Sequence, residues 1–300
     1  MIKLLVVGTV AVDSVETPFG KKDQVFGGSA SYFSYAASFF SPVSLVAVVG
    51  EDFPEEYRGI LRERKIDLSG LQVSAGKTFR WKGKYSFDLN VAETLETQLN
   101  VLESFSPKLE DKDVEYLFLA NIDPDIQLKI LDEIHPAKAK LAALDTMNYW
   151  IHNKNQSLRQ VLARVDLLVV NDAEARDLAG EANLIRAARV IQAMGPSRVI
   201  IKKGEHGVLF FDGPSFFALP AYPLEAVFDP TGAGDSFAGG FMGYVAQSGD
   251  LGFQNMKKAI AYGSVTASFA VEDFGLDRLR RLTSAEIDDR LGNFQTFSSF

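Results

Sequence analysis

Short apolar runs alternate with helical segments along most of the chain, and this alternation restricts the fold more than any other feature. The runs that are typical of strands lie at residues 2–7, 43–49, 116–120, 139–144, 167–170 and 198–201. Helical spacing of apolar residues occurs between them, at 29–40, 54–65, 124–134, 157–164, 173–178 and 184–194. This order predicts an α/β fold, a parallel sheet with helices on both faces, in which ligands lie beyond the carboxyl ends of the strands.

The composition of the chain excludes several classes of function. A net charge of −8 argues against nucleic acid as the main partner, and the absence of cysteine excludes disulfides and thiol chemistry. The three histidines are scattered, which argues against a His-rich metal cluster. No segment is long and apolar enough to span a bilayer, and the run at 2–7 reads as a strand rather than a signal peptide. We therefore expect a cytoplasmic enzyme that acts on small molecules, with no membrane partner.

The stretch 229–241, Asp-Pro-Thr-Gly-Ala-Gly-Asp-Ser-Phe-Ala-Gly-Gly-Phe, carries the clearest chemical signal. A helix is predicted over 236–246, and three small residues precede it: Gly232, Ala233 and Gly234. A small-residue loop at a helix N-terminus offers backbone N–H groups to an anion, above all a phosphate. Asp235 stands in the same site, where it would repel a phosphate but would serve as a base for an attacking hydroxyl.

Two other interpretations of this stretch explain less. A dinucleotide fingerprint requires a small residue where the chain has Phe237. A glycine-rich helix packed closely on a sheet would explain the glycines but not Asp235.

The stretch resembles the C-terminal signature of the ribokinase-like (PfkB) family of small-molecule kinases, whose pattern includes D-P-T-G-A-G-D. The resemblance implies one domain over 1–300, with a three-layer αβα fold, a mostly parallel central sheet and a small β lid. It implies transfer of the γ-phosphoryl group of ATP to an alcohol, with Asp235 as the base and the amides of 232–234 as an anion hole. It also places Thr231 at the nucleotide and, with Asp229, near a monovalent cation such as K⁺.

The acceptor side is predicted near the N-terminus. Asp13 follows the first strand, where a carboxylate can accept hydrogen bonds from two hydroxyls, although it could also face water. Gly27 and Gly28 precede a helix and allow close approach of a ligand to the backbone. The resemblance implies that these residues bind the acceptor. Tyr32 stands near the position where ribokinase-type members have asparagine, which argues against free ribose and suggests an aromatic platform for a sugar or a base.

Asn171 and Glu174 form an N-x-x-E pattern after the run at 167–170. As a helix start, the pair would cap the helix reciprocally. The resemblance implies that the pair arranges Mg²⁺ and the phosphates, and both roles can coexist because Mg²⁺ keeps several waters.

The remaining contacts implied by the resemblance are scattered along the chain. A strand–turn–strand unit would contact the nucleotide through Lys202, Gly204 and Gly207. Ser264, in a small-residue helix predicted over 259–270, would contact it as well. Asn121 follows the run at 116–120, where it would orient the acceptor or cap a helix.

The segment 78–102 breaks the α/β rhythm, because its apolar and polar residues alternate as in a hairpin with one covered face. We expect a lid formed mainly by about 72–103, together with the segment after Asp13. Its apolar face is expected to cover the substrate and to pair with a second subunit.

The acceptor class stays open at this point. A sugar or polyol is the first expectation. A nucleoside is the alternative, since the lid and entry carry several aromatic residues: Phe26, Tyr32, Phe33, Phe79 and Trp81. A nucleotide sensor without turnover is more distant, because Asp235 and Glu174 are both present.

Overall fold

The computed structural model describes residues 2–135 and 138–298. Its strands, in chain order, are β1 (Ile2–Val7), β2 (Ala11–Thr17), β3 (Gly20–Gly27), β4 (Val43–Gly50), β5 (Leu71–Ser74), β6 (Arg80–Tyr85), β7 (Ala92–Gln98), β8 (Val114–Leu119), β9 (Leu141–Asp145), β10 (Leu167–Asn171), β11 (Arg198–Lys202), β12 (Val208–Asp212) and β13 (Ser215–Leu219).

The helices are α1 (Ser29–Ala37), α2 (Glu55–Glu63), α3 (Pro124–Glu133), α4 (Asn148–Asn153), α5 (Asn155–Leu162), α6 (Asp172–Ala179), α7 (Leu184–Gln192), α8 (Ala233–Ser248), α9 (Phe253–Ala270), α10 (Asp277–Arg281) and α11 (Ser284–Ser298). Short 3₁₀ turns lie at Asn100–Ser104 and Gly204–His206. No helix in the described ranges is long and apolar enough to cross a membrane.

Nine strands form the central sheet of the described chain, in the order β13-β12-β11-β10-β9-β8-β1-β4-β5. The pairs from β11 to β5 are parallel, and β12 and β13 add an antiparallel edge. Since strand side chains alternate between faces, Leu4 and Val6 enter one apolar core while Leu5 and Val7 enter the other. Helices α1, α2 and α8–α11 cover the first face and α3–α7 the second. The predicted three-layer α/β fold is confirmed.

A second sheet lies outside these layers, in the order β3-β2-β6-β7. Strand β2 pairs with β6 in parallel and with β3 in antiparallel orientation, so the segment after Asp13 supplies half of the lid. The lid is narrower than the predicted 72–103. β5 belongs to the central sheet, because β4, α2 and β5 form a further parallel strand–helix–strand unit, and 100–104 is a 3₁₀ turn.

Helix α8 begins at Ala233, three residues before the predicted start at 236. Gly232 has φ +75° in the left-handed region, and this turn allows the helix to begin directly after it. The small residues therefore belong to the first helical turn rather than to a loop ahead of it. Helix α9 likewise begins at Phe253, before the predicted 259.

Candidate active site

The first turn of α8 presents backbone N–H groups beyond the carboxyl ends of the parallel strands. The N–H of Ala233 donates to the carbonyl of Pro230 at 3.1 Å, and the first intrahelical bond runs from Ser236 to Gly232 at 2.8 Å. In the described structure no backbone carbonyl accepts from the N–H of Gly234 or Asp235. Two donors of the helix N-terminus are thus free for an anion. Of the predicted amides of 232–234, that of Ala233 is already engaged in this turn.

Three carboxylates and one ammonium meet beside this turn. Asp235 lies in the first turn of α8, Asp145 at the end of β9 and Glu174 in the first turn of α6. Lys202, at the end of β11, places its Nζ 3.6 Å from Oδ2 of Asp145. The parallel sheet brings three of these residues together, because Asp145 and Lys202 end β9 and β11 and Glu174 follows β10 between them. Asp235 joins them from the first turn of α8.

The electrostatics of this cluster follow from burial and mutual charge. Burial raises the pKa of Asp235 to about 8, and the charge of Asp145 adds to this while Lys202 opposes it. Burial and Asp145 likewise raise the pKa of Glu174 to about 7. Burial acts to lower the pKa of Lys202, but the carboxylates of Asp145, Glu174 and Asp235 outweigh it and the pKa is raised. These pKa values reflect three acidic groups that face a single ammonium, and a further cation in the cluster would favour the ionised carboxylates.

Asn171 and Glu174 form the predicted capping box of α6. The N–H of Glu174 donates to Oδ1 of Asn171 at 2.8 Å, and the N–H of Asn171 donates to Oε2 of Glu174 at 2.7 Å. The second carboxylate oxygen of Glu174 takes no part in the box. Within the described residues no three acidic or histidine side chains are arranged to chelate a metal by themselves. This donor set fits Mg²⁺, which keeps most of its waters and needs only one or two carboxylates.

Asp13 lies at the other end of the site, on β2, against the paired glycines. Its Oδ2 accepts the N–H of Gly28 at 3.3 Å, and a Cβ on Gly27 would lie 1.9 Å from the same oxygen. Oδ1 of Asp13 is buried and has no hydrogen-bond partner in the described structure. Burial raises the pKa of Asp13 to about 7, the Gly28 N–H opposes this, and Asp229 adds to it. The glycines thus make room for a carboxylate that keeps one acceptor oxygen for a ligand.

Two tyrosines reach the space between Asp13 and Asp235. The Tyr32 ring packs on Gly232, where a Cβ would lie 2.4 Å from the ring atoms, and its buried hydroxyl has no partner. A ring that is 1% exposed has no free face for a base, so it does not form the predicted aromatic platform. Tyr85, on lid strand β6, lies with its hydroxyl 3.3 Å from Oγ1 of Thr231. Sequence reasoning missed Tyr85, because only the lid register places it here.

The predicted nucleotide turn follows β11. Gly204 and Gly207 have φ +55° and +85°, and a Cβ on Gly207 would lie 2.1 Å from the carbonyl oxygen of Leu219. A Cβ on Gly204 would lie 2.2 Å from Oδ1 of Asn90, at the tip of the β6–β7 hairpin. The lid therefore touches this turn as well as Thr231.

Other predicted residues are less closely tied to the cluster. Oδ1 of Asn121 accepts from Nε1 of Trp150 at 2.9 Å, and its Nδ2 lies 3.2 Å from Sδ of Met147. No described contact joins the side chain of Ser264 to the cluster, although its neighbour Gly263 packs on Phe237 of α8. Asp229 accepts the N–H groups of Thr231 and Gly275 at 2.9 and 3.1 Å, so it ties two segments together.

The family model described as pfkB family carbohydrate kinase matches residues 3–280. The chain belongs to this family. It is 33% identical over 246 residues to the cytidine kinase of Thermococcus kodakarensis, which covers 81% of this chain and 88% of that protein. The nucleoside kinase of Methanocaldococcus jannaschii shares the fold with a TM-score of 0.78 and 20% identity, covering 97% of this chain and 99% of that one. An E. coli protein provisionally named Ribokinase II, solved with ATP and Mg²⁺, has a TM-score of 0.78 and 18% identity and covers 98% of this chain and 100% of that one.

This pfkB kinase is therefore a phosphotransferase with an alcohol group as acceptor, as predicted. Both acceptor classes considered from the sequence, sugars and nucleosides, fit the family and its relatives. The family and its relatives are described as kinases, which favours an enzyme over the nucleotide sensor considered from the sequence.

In this pfkB kinase, Glu174→Gln is expected to raise the Mg²⁺ concentration for half-maximal rate. Glutamine keeps an acceptor for the N–H of Asn171, so the capping box survives while the charge is lost. Glu286→Gln is the matched control, because Glu286 closes a similar box with Thr283 away from the site. Initial rates over a Mg²⁺ titration measure the effect. Equal titrations for both variants would leave Glu174 with a capping role alone.

The buried carboxylates of the kinase should also make its stability depend on pH. Asp13 has a folded pKa of about 7 against an ordinary value of 3.8, so the folded state holds its proton to higher pH than the unfolded chain does. The stabilisation is complete below the unfolded pKa and is lost as pH rises through about 7. We expect ligand-free protein to lose about 1 kcal/mol between pH 6 and pH 9 through this group.

Calorimetric melting at the two pH values tests this expectation. Asp13→Asn should reduce the loss, whereas Asp132→Asn, at an exposed carboxylate, should not. The explanation fails if Asp13→Asn melts with the same pH dependence as the wild type.

Proposed function

We propose that this kinase phosphorylates a sugar hydroxyl of a nucleoside, with ATP as donor. The observation that carries the proposal is the free Oδ1 of Asp13, a buried acceptor without a partner that faces the same space as Asp235. A ribose ring that gives two hydroxyls to Asp13 would present a third to Asp235. The cytidine kinase of Thermococcus kodakarensis, at 33% identity over most of both chains, supports the nucleoside over the free sugar.

At the acceptor end, Asp235 would take the proton of the attacking hydroxyl. The transition state of phosphoryl transfer is loose, so this proton leaves late and a carboxylate is an adequate base. In its deprotonated form Asp235 accepts, and the hydroxyl of Tyr32, which lies near Asp13 and Asp235, can donate to the acceptor sugar. These contacts orient the hydroxyl before the reaction.

At the phosphoryl end, the free amides of Gly234 and Asp235 would hold the oxygens of the transferred group at the N-terminus of α8. Lys202 adds an ammonium beside them. Glu174, with Asn171 next to it, would hold Mg²⁺ through its free oxygen and through water. When bound, Mg²⁺ neutralises negative charge on the phosphates.

The lid supplies a candidate platform for the base. Trp81 pairs with Asp13 and Gly83 with Val15, and paired residues share one face of a sheet. A Cβ on Gly83 would lie 2.0 Å from the Trp81 indole, so the six-membered ring of the indole packs on this glycine, on the face that carries Asp13. Nε1 of Trp81 donates to Oγ1 of Thr94 at 3.2 Å and holds the ring in place. An indole fixed in this way can stack on a base above the sugar.

Trp81→Ala is expected to weaken nucleoside binding by about 1–3 kcal/mol, the scale of base–aromatic stacking. Free ribose, which has no base, should be affected far less. Phe216→Ala, an exposed aromatic residue on the distal edge strand β13, is the control and should change neither. KM values for cytidine, adenosine and ribose measure the difference. If binding of all three compounds is weakened equally, the indole contacts the sugar ring rather than the base.

The proposal itself is tested by ADP formation with a panel of cytidine, adenosine, inosine, ribose, fructose and inositol. We expect kcat/KM to be at least about tenfold higher for one nucleoside than for any free sugar or polyol, because a base adds stacking energy of this order. If a free sugar or polyol is turned over fastest, the second candidate function is favoured, a kinase that acts on carbohydrates rather than nucleosides. The family description, carbohydrate kinase, supports this second candidate.

Three further features stay predictions: pairing of two subunits through the lid, a monovalent cation near Asp229 and Thr231, and a cytoplasmic location. The lid offers exposed apolar side chains for such pairing at Phe87, Val91 and Leu95.

A further inference from the structure

We propose that Asp145 is a positioning residue that fixes the Lys202 ammonium at the first turn of α8, so that the pair recognises the terminal phosphate of ATP and distinguishes ATP from ADP. The inference rests on the phosphoryl placement given under the proposed function. It concerns Asp145, the last residue of β9.

The two residues meet across an intervening strand. Asp145 ends β9 and Lys202 ends β11, with β10 between them in the parallel sheet. Register places Asp145 opposite Val169 and Lys202 opposite Asn171, so the lysine lies two residues further toward the carboxyl end of the strands. Its side chain reaches back to Asp145, and the side chains are 18% and 7% exposed. A long flexible side chain held in this way has one preferred position for its charge.

That position lies at the proposed anion site. A Cβ on Gly234 would lie 2.7 Å from Nζ of Lys202, so the ammonium packs directly on the backbone of this glycine. The N–H of Gly234 is one of the two free donors of the helix. An anion that binds these donors therefore meets the Lys202 ammonium, and an ammonium beside phosphate oxygens forms a charge-assisted hydrogen bond.

Asp145 is built as a rigid anchor. Its Oδ1 accepts the N–H of Thr146 at 2.7 Å, which leaves Oδ2 for the lysine. Nε2 of Gln127 donates to the carbonyl oxygens of Asp145 and Ala120, at 3.3 and 3.0 Å, and fixes the ends of both strands. Without Asp145, Lys202 would still have Glu174 and Asp235 as attractive neighbours. Asp145 thus decides which carboxylate the ammonium approaches, and keeps it away from the base and from the proposed metal residue.

Titration calorimetry with ATP and with ADP, each with Mg²⁺, tests the role of Lys202 at equilibrium and without turnover. Lys202→Met should raise the Kd for ATP by roughly 10–100-fold, the scale of a hydrogen bond to a charged group, and should change the Kd for ADP by less than about threefold. Lys202→Arg should restore part of the preference. An unchanged ratio of the two Kd values in Lys202→Met overturns the proposal.

Asp145→Asn tests the anchor. It should reduce the preference for ATP in the wild-type background and have no further effect on it in the Lys202→Met background, because the anchor then holds nothing. Additive losses would show that Asp145 acts on its own and would overturn its role. The double variant removes both charges together, so it keeps the test open if Lys202→Met alone does not fold. Failure to phosphorylate nucleosides would refute the proposed acceptor, while the ATP-to-ADP ratio would still report on this pair.

Discussion

Asp235→Asn is expected to lower kcat by roughly 10²–10⁴-fold, the usual contribution of a general base. Asparagine keeps the shape of the side chain and the free N–H at the first turn of α8, so the anion site survives. Affinity for ATP with Mg²⁺ should be unchanged or stronger, since asparagine cannot ionise and so cannot repel the phosphates. The loss is therefore expected in turnover and not in nucleotide binding.

Steady-state kinetics and nucleotide calorimetry on the same preparation separate these two effects. Asp125→Asn is the matched control, because Asp125 is also a first-turn carboxylate, on α3, but is exposed and paired with Lys154. For the wild type, kcat/KM should fall toward acid pH with an apparent pKa well above the ordinary 3.8, because burial raises the pKa of Asp235 to about 8 in the ligand-free site. A kcat near the wild-type value in Asp235→Asn would show that Asp235 is not the general base.

Gly232→Ala should have the second large effect. Gly232 has φ +75°, and a Cβ would meet the Tyr32 ring at 2.4 Å, so alanine adds both backbone strain and a clash. Either the start of α8 or the Tyr32 ring must move, and both lie at the reacting groups. We expect kcat to fall by roughly 10²–10³-fold, the effect of losing one donor from an anion hole.

Gly249→Ala separates strain from the clash. Gly249 has φ +70° at the other end of the same helix, and a Cβ there would meet nothing within 4 Å. This control should cost about 1–2 kcal/mol of stability, with kcat unchanged. Melting temperatures and kcat of both variants decide the point. If Gly232→Ala loses stability like Gly249→Ala but keeps full activity, the start of α8 is not part of the reaction site.

The fold could be predicted from the sequence because its parallel strands are local, apolar and separated by helices. Strand β1 agrees with its predicted range, and most other elements differ only at their ends. The short strand β5 was assigned to the lid because alternation alone does not say which sheet a strand joins. The membership of β2 and β3 in the lid likewise depends on pairing with β6, a contact between distant segments.

The candidate site was predictable where its residues are neighbours in sequence. The capping box of Asn171 and Glu174 follows from their spacing and chemistry. The hydrogen bond between the Gly28 N–H and Asp13 joins two segments that the sequence assigned separately to the acceptor. The contacts of Tyr85 with Thr231 and of Lys202 with Asp145 join residues far apart in the chain, and no local pattern indicates them. The Tyr32 ring was expected to be accessible because nothing in the sequence shows that Gly232 lies on it.

The packing of Tyr32 on Gly232 has a consequence for how this enzyme could acquire new substrates. A substitution at position 32 would alter the acceptor space and the backbone of the reaction centre together, so that a gain in selectivity there would carry a loss in rate. Trp81 lies on a separate sheet and contacts Gly83 of its own strand, so changes there leave the reaction centre in place. Directed evolution toward other acceptors should therefore accumulate its mutations in the lid strands and spare the entry helix.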